Sequence, residues 1–212
     1  MSSPVTKEPT NMTFGFVGML LKLLRGEGKL GGRPEYVAVA LDISGDKETF
    51  RSELYPEYKA TRSEPPQDLF PQVERCLALM KEVGIPTVGI EGFEADDAIA
   101  SVVTQLRKLR PDLRIRIISK DKDLKQLLCA ASAECGGVEL FDVHTDLVID
   151  EAHWFAESGL RPSQVIDYLA LMGDTVDNVP GVEGVGEKTS AALIAEFGSL
   201  DALIANANTI KG

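Results

Sequence analysis

The chain has 212 residues, enough for one large domain or a domain with a small appendage. Hydrophobic residues at 44% and charged residues at 26% fit a globular chain with a buried core, and no apolar run approaches the roughly 18 residues of a membrane span. Lys and Arg number 22 against 33 Asp and Glu, a net charge of −11, which argues against binding phosphates by basic surface alone unless divalent cations neutralise clustered acids.

The N-terminal stretch from Met1 to Thr6 lacks the charged-then-apolar pattern of a secretory signal. Cys76, Cys129 and Cys135 are expected to form no close pair, so neither a disulfide framework nor a zinc site is predicted. A reducing cytoplasm is the expected location.

In chain order, Met12 to Leu24 is dense enough in apolar residues for a buried helix, and Gly26 to Arg33 is a glycine-rich loop. Tyr36 to Leu41 (YVAVAL) is a continuous apolar run, the pattern of a strand buried on both faces, ending at Asp42. A polar stretch bearing Arg and Tyr, Phe50 to Arg62, is closed by Pro65 and Pro66. Leu69, Val73, Cys76, Leu77, Met80 and Val83 recur at helical spacing, predicting an amphipathic helix over Gln67 to Val83 stopped by Gly84. Ile85 to Ile90 reads as a second strand and Glu94 to Arg110 as a second long helix. Leu113 to Ser119 is a third strand running into Asp121, Asp123 to Leu128 is helical, and Val138 to Val143 is a fourth strand. This alternation predicts a parallel α/β sheet with helices on both faces. From about Arg161 only helices and tight glycine turns follow, which places a boundary between a core over 1–160 and a small helical region over 161–212.

In open α/β sheets, sites form outside the carboxyl ends of the strands. Asp42 follows the first strand; Glu94, Asp96 and Asp97 follow the second and open its helix; Asp121 and Asp123 follow the third. Asp174 and Asp177 sit three apart in the boundary loop GDTVDN. Singly, each group has an ordinary explanation: helix-terminal acids suit the macrodipole, and Asp174 suits an Asx turn. Together these eight carboxylates are expected to converge on one pocket, where their repulsion requires cations between them. Oxygen-only ligands favour Mg²⁺, or Mn²⁺, over zinc.

Gly181, Gly184 and Gly186 lie in PGVEGVGEKT, ahead of a helical run from Ser190. Such glycines present bare N–H groups at a helix start, a seat for phosphate, and Lys188 and Thr189 stand beside it. The pattern PGVxGVGxKTxxxLxxxFGSL resembles the DNA-binding helix-hairpin-helix, implying non-specific duplex binding. The second basic feature is Arg51, Tyr55, Tyr58, Lys59 and Arg62, where cations interleave with aromatics as a single strand requires. The competing reading is a solvated helix face with the tyrosines packed inward. Arg107, Lys108 and Arg110 read as an ordinary helix end, His144 and His153 as core or surface residues, and Trp154 as packing on the helical region.

Four motifs, FRSELYPEYKATR (50–62), GFEADDAIA (92–100), SKDKDLKQLL (119–128) and GDTVDNVPGVEGVGEKT (173–189), agree in order and spacing with one family. With EPTNMTFGFVGMLLKLL at 8–24, the chain resembles the 5′-nuclease domain of bacterial DNA polymerase I and its flap-endonuclease relatives over nearly its whole length. The resemblance implies a PIN/resolvase-like parallel-sheet nuclease core followed by an all-helical helix-hairpin-helix region. It implies two metals: Asp42, Glu94, Asp96, Asp97 and Asp121 hold or support one, and Asp123, Asp174 and Asp177 the other. Arg51 and Lys59 clamp the reacting phosphate in a segment that admits a 5′ single strand, and the helix-hairpin-helix turn is a site for K⁺. The implied activity is two-metal hydrolysis of DNA at 5′ ends or flaps, in a monomer or as part of a longer chain with a polymerase domain, with no membrane partner. The chain departs from the family in three places. It opens downstream of a first strand ending in Asp-Gly, it stops after Ile210-Lys211-Gly212, and it carries Lys120 where a small residue is usual. The first departure supports an alternative, a fragment that binds branched DNA without cutting it. An RNA-directed nuclease with the same acidic core is a further reading, disfavoured by the duplex seat.

Overall fold

The computed structural model describes residues 2–3, 7–45 and 48–209, so Met1, Pro4 to Thr6, Asp46, Lys47 and Ile210 to Gly212 lie outside the described residues. The helices are α1 (Asn11–Arg25), α2 (Phe50–Leu54), α3 (Leu69–Glu82), α4 (Ala95–Leu109), α5 (Glu151–Ser158), α6 (Val165–Met172), α7 (Glu187–Phe197) and α8 (Leu200–Ala205). The strands are β1 (Val39–Ala40), β2 (Thr87–Val88), β3 (Ile115–Ile118), β4 (Val138–Asp142) and β5 (Leu147–Ile149). The chain divides into two compact units, Met1–Ser44 with Ser63–Ala98, and Gly45–Arg62 with Ile99–Gly212.

In the first unit β1 and β2 pair in parallel, Val39 opposite Thr87 and Ala40 opposite Val88. Helix α1 packs on α3. The buried Gln72 of α3 accepts from the backbone N–H of Met12 (3.0 Å), satisfying a donor that the first turn of α1 cannot pair internally. The expected burial of α1 does not hold: Leu20 is its one buried residue, while Phe14 is 68% and Leu21 42% exposed. Its apolar side chains are spread around the cylinder, and one partner helix covers one stripe. The YVAVAL strand shortens to Val39–Ala40, both half-buried, because pairing with β2 spans two residues.

The second unit holds a sheet ordered β3-β4-β5. β3 and β4 run parallel, Arg116 opposite Glu139, and β5 returns antiparallel with Phe141 opposite Val148. β5 has no counterpart in the sequence reading, since three residues behind a short turn are too few to show a period. Asp142 makes that turn, accepting from the backbone N–H of His144 and from the hydroxyl of Thr145. Glu139, 7% exposed, is paired by Arg114, just before β3, and by Arg116 within it, which offsets the cost of burying its charge.

One core joins this sheet to the helices that follow. Ile117, Val138, Leu140, Trp154, Tyr168, Leu171, Ile194 and Leu203 belong to a single buried cluster. The helical region from 161 shares a unit with β3–β5, and residues of α6 and α7 belong to the same buried cluster as the sheet. Trp154 packs edge-on to Tyr168 of α6, ring centroids 6.1 Å apart. His144 and His153 lie at the surface. Among the described residues no helix is long and apolar enough to cross a membrane.

Candidate functional site

The acidic residues are distributed over both units. In the first, Asp42 follows β1 and its carboxylate accepts from the backbone N–H of Ala95, the first residue of α4. Gly89 packs closely beside this strand end: a methyl group there would lie 2.8 Å from the carbonyl oxygen of Leu41. Asp97 accepts from the N–H of Glu94 (3.0 Å), and Gly92 donates to the Ser44 hydroxyl (2.8 Å). Asp42 and Asp97 thus act as helix caps, the ordinary reading for such acids, with Asp96 also in the first turn of α4.

In the second unit, Asp121 follows β3 and its carboxylate accepts from the N–H of Asp123 (2.9 Å), which opens a 3₁₀ turn over Asp123–Leu127. Asp174 and Val179 exchange backbone hydrogen bonds (2.8 and 2.7 Å), and the Asp174 carboxylate accepts from the N–H of Val176 and of Asp177, an Asx turn. This loop meets the segment that carries the basic strip. Tyr58 Oη donates to Asp177 (3.1 Å), Arg62 is paired with the same carboxylate, and the N–H of Lys59 donates to the Asp177 carbonyl (2.8 Å). Asn178 Nδ2 donates to the Glu57 carbonyl (2.8 Å). Lys122 Nζ lies 3.0 Å from Asp174. Lys122 and Asn178 did not stand out in the sequence; Lys122 is the middle residue of DKD, and nothing in that spacing shows which acid it meets.

Four carboxylates thereby share one electrostatic neighbourhood. Burial, then the charge of Asp121, pushes the Asp123 carboxyl up to about 6; Asp174 and Asp177 add to this and Lys122 opposes it. For Asp174 burial acts in the same direction. The bond from Lys122 and those from the N–H groups of Asp177 and Val176 outweigh it and hold this carboxyl below its ordinary range. The donor set is all oxygen, and half-buried Asp123 has no cation bonded to it among the ion pairs of the described residues, which suits a hard divalent cation. Among the described residues, however, no three His, Cys, Asp or Glu side chains are gathered closely enough to hold an ion. Lys122 and Arg62 stand on two of the four carboxylates instead.

The basic strip splits in two. Tyr58 is 8% exposed and turned inward to Asp177, so it braces the acidic loop. Tyr55 is 36% exposed. Arg51 lies over the Phe50 ring (4.7 Å), and Lys59 lies over the Tyr58 ring (5.0 Å) with φ +55°. Lys120 lies 3.6 Å from Asp142, beside β4.

The glycine turn connects α6 to α7. A methyl group on Gly173, at φ +72°, would lie 2.3 Å from the backbone N of Gly181, so both positions require glycine. The N–H of Val182 donates to the Leu171 carbonyl (2.8 Å). Gly186 is the N-cap of α7, whose first residues include Lys188 and Thr189; Gly184, at φ +77°, shapes the turn before it.

Cys129 and Cys135, expected to be apart, are close: their sulfurs lie 4.0 Å from each other. The hairpin that joins them was not apparent from a six-residue separation.

A family model for the 5′-3′ exonuclease N-terminal resolvase-like domain matches residues 2–159, and one for the 5′-3′ exonuclease C-terminal SAM fold matches residues 160–212. DNA polymerase I of Rhizobium leguminosarum is 39% identical over 214 residues, covering 98% of this chain and 20% of its own length. A 5′-3′ exonuclease of Aquifex aeolicus is 35% identical over 198 residues, covering 93% of this chain and 63% of its own. The T5 D15 protein, crystallised with metal ions, has a TM-score of 0.71 at 28% identity, over 93% of this chain and 76% of that one. The T5 5′-exonuclease with bound zinc ions has a TM-score of 0.69 at 27% identity, over 98% and 74%. The chain spans about a fifth of the length of the DNA polymerase I relatives it matches. With both family models matched end to end, and with the mixed α/β fold of the T5 nuclease, the chain belongs to the 5′-3′ exonuclease family.

Proposed function

We propose that this chain is a divalent-metal-dependent nuclease that hydrolyses DNA near 5′ ends and flaps. The observation that carries this reading is the junction in the second unit. There the acidic loop 174–178 and the basic segment 57–62 are bonded together, and Lys122, between Asp121 and Asp123, reaches Asp174. Asp121, Asp123, Asp174 and Asp177 would hold Mg²⁺ or Mn²⁺ once Lys122 and Arg62 give way. Asp42, Glu94, Asp96 and Asp97 are the further carboxylates that the family resemblance assigns to metal. A bound ion supplies Lewis acidity, which acidifies water and stabilises charge on the attacked phosphate.

Arg51 and Lys59 supply cationic donors to the phosphate oxygens, and Tyr55 supplies a face on which a base can stack. A water oxygen bonds to phosphorus, the bond from phosphorus to the 3′ oxygen breaks, and that oxygen takes a proton. The product carries a 5′-phosphate. The turn at Gly181, Gly184 and Gly186, with Lys188 and Thr189, seats a duplex phosphate, and a K⁺ ion held by backbone carbonyl oxygens of the turn would bridge to that phosphate. We place the chain in the cytoplasm as a monomer, alongside a polymerase domain where it forms part of a longer protein.

A second reading is supported by Lys122 and Arg62 on Asp174 and Asp177: a module that binds branched DNA without cutting it. Asp121→Asn separates the two. With a labelled 5′-flap duplex in Mg²⁺, a nuclease loses on the order of 100-fold in cleavage rate while a gel shift shows binding retained or tightened. Binding by both proteins with cleavage by neither would establish the binding module.

A further inference from the structure

Outside the acidic site, the segment after the 3₁₀ turn brings two thiols together. Cys129 and Val138 exchange backbone hydrogen bonds (3.1 and 2.9 Å), and Ser132 and Cys135 form a second antiparallel bridge, so 129–138 folds back on itself. Gly136 and Gly137 shape the return. A methyl group on Gly136 would lie 2.3 Å from the Leu113 carbonyl carbon, and Gly137 takes φ +83° against the backbone of Ala131 and Cys129. The two sulfurs end 4.0 Å apart, both half-buried. Arg107 of α4 donates to the Cys129 sulfur (3.0 Å), and the N–H of Gly137 donates to the Cys135 sulfur (3.4 Å). Cys129 also lines a shallow cleft of about 290 Å³ with Arg107, Gln126, Glu151 and Arg161.

We propose that Cys129 and Cys135 form a reversible dithiol–disulfide site that a peroxide oxidises, with Cys135 oxidised first and Cys129 resolving. The Gly137 N–H, the largest influence on Cys135, lowers its pKa and favours the thiolate, whereas burial raises that of Cys129. The Cys135 thiolate attacks one peroxide oxygen, the O–O bond breaks, and hydroxide leaves to become water, giving a sulfenic acid. The Cys129 sulfur then bonds to the Cys135 sulfur, the S–OH bond breaks, and a second water leaves with the Cys129 proton. Two thiols and one hydrogen peroxide thus give one disulfide and two waters. The sulfurs must close by about 2 Å, within reach of a rotamer change in a short surface hairpin. The bond would tie the exit of the Asp123–Leu127 turn to the segment that enters β4 and remove the free thiol that Arg107 faces. Cys76, only 3% exposed and in the first unit, takes no part.

The test treats the full chain with hydrogen peroxide and counts thiols in denaturant. Three titratable thiols fall to one, and a dithiol reductant restores them. Peptide mass spectrometry then finds residues 129 and 135 joined with the loss of two hydrogen atoms. In Cys129→Ser a dimedone adduct accumulates on Cys135, whereas in Cys135→Ser none forms on Cys129. Persistence of all three thiols, a bond involving Cys76 or a second molecule, or the reverse pattern of adducts would each overturn the proposal.

Discussion

Asp123→Asn tests the electrostatics of the acidic site through folding stability, without recourse to catalysis. In the metal-free protein Asp123 is raised from 3.8 to about 6, so the native state binds a proton more tightly than the unfolded chain. Its contribution to stability is fully present below pH 3.8 and is lost as the pH rises through about 6. The full shift corresponds to about 3 kcal/mol, and solvent screening of a partly exposed group reduces this to about 1–2 kcal/mol. Asparagine keeps the shape and removes the charge. In EDTA at neutral pH the variant is therefore expected to melt higher by about 2–8 °C, and the difference closes below about pH 4. Thermal unfolding of both proteins across that range measures it. Added Mg²⁺ should raise the midpoint of the unsubstituted protein and leave the variant nearly unmoved, because mass action needs the carboxylate. A variant equally or less stable at neutral pH in EDTA, or a difference that does not vary with pH, would refute the reasoning.

Three other outcomes are expected. Lys122→Ala removes the cation on Asp174, so the metal-free protein should melt lower while a smaller Mg²⁺ concentration suffices to stabilise it, both read from melting curves with and without Mg²⁺. Gly173→Ala forces a methyl group onto Gly181 at positive φ and should cost about 3 kcal/mol or more in urea unfolding, whereas Gly18→Ala, in open space inside α1, should stabilise by about 0.5–1 kcal/mol. Lys188→Ala should weaken duplex binding uniformly across sequences and reduce the magnitude of the log–log salt dependence by about 1, measured by fluorescence anisotropy at several salt concentrations.

Much of the arrangement was legible because its signals are local. The apolar runs ending at Asp42 and Asp121 are strands with acids after their carboxyl ends, and the spacing of Leu69, Cys76 and Met80 is a helix with one buried face. Gly181, Gly184 and Gly186 stood out as tight-turn glycines in the sequence, and the structure adds that Gly173 and Gly181 approach too closely for any side chain. What was hidden depends on tertiary context. β5 is three residues long and exists because β4 offers it a partner. The exposed side of α1 follows from how much of a helix one neighbour can cover, which no periodicity reports. Lys122, Tyr58 and Arg62 acquire their roles only when residues more than 50 positions away reach them. Cys129 and Cys135 meet through two glycines whose effect on the backbone cannot be read from their spacing.

The most direct measurement is release of a 5′-labelled flap from a branched duplex by the unsubstituted chain, in Mg²⁺ and in EDTA, with a gel shift on the same DNA. The account predicts cleavage in Mg²⁺ that leaves a 5′-phosphate on the downstream strand, and none in EDTA. Cleavage that persists in EDTA, or a shifted complex that Mg²⁺ never converts to product, would contradict it.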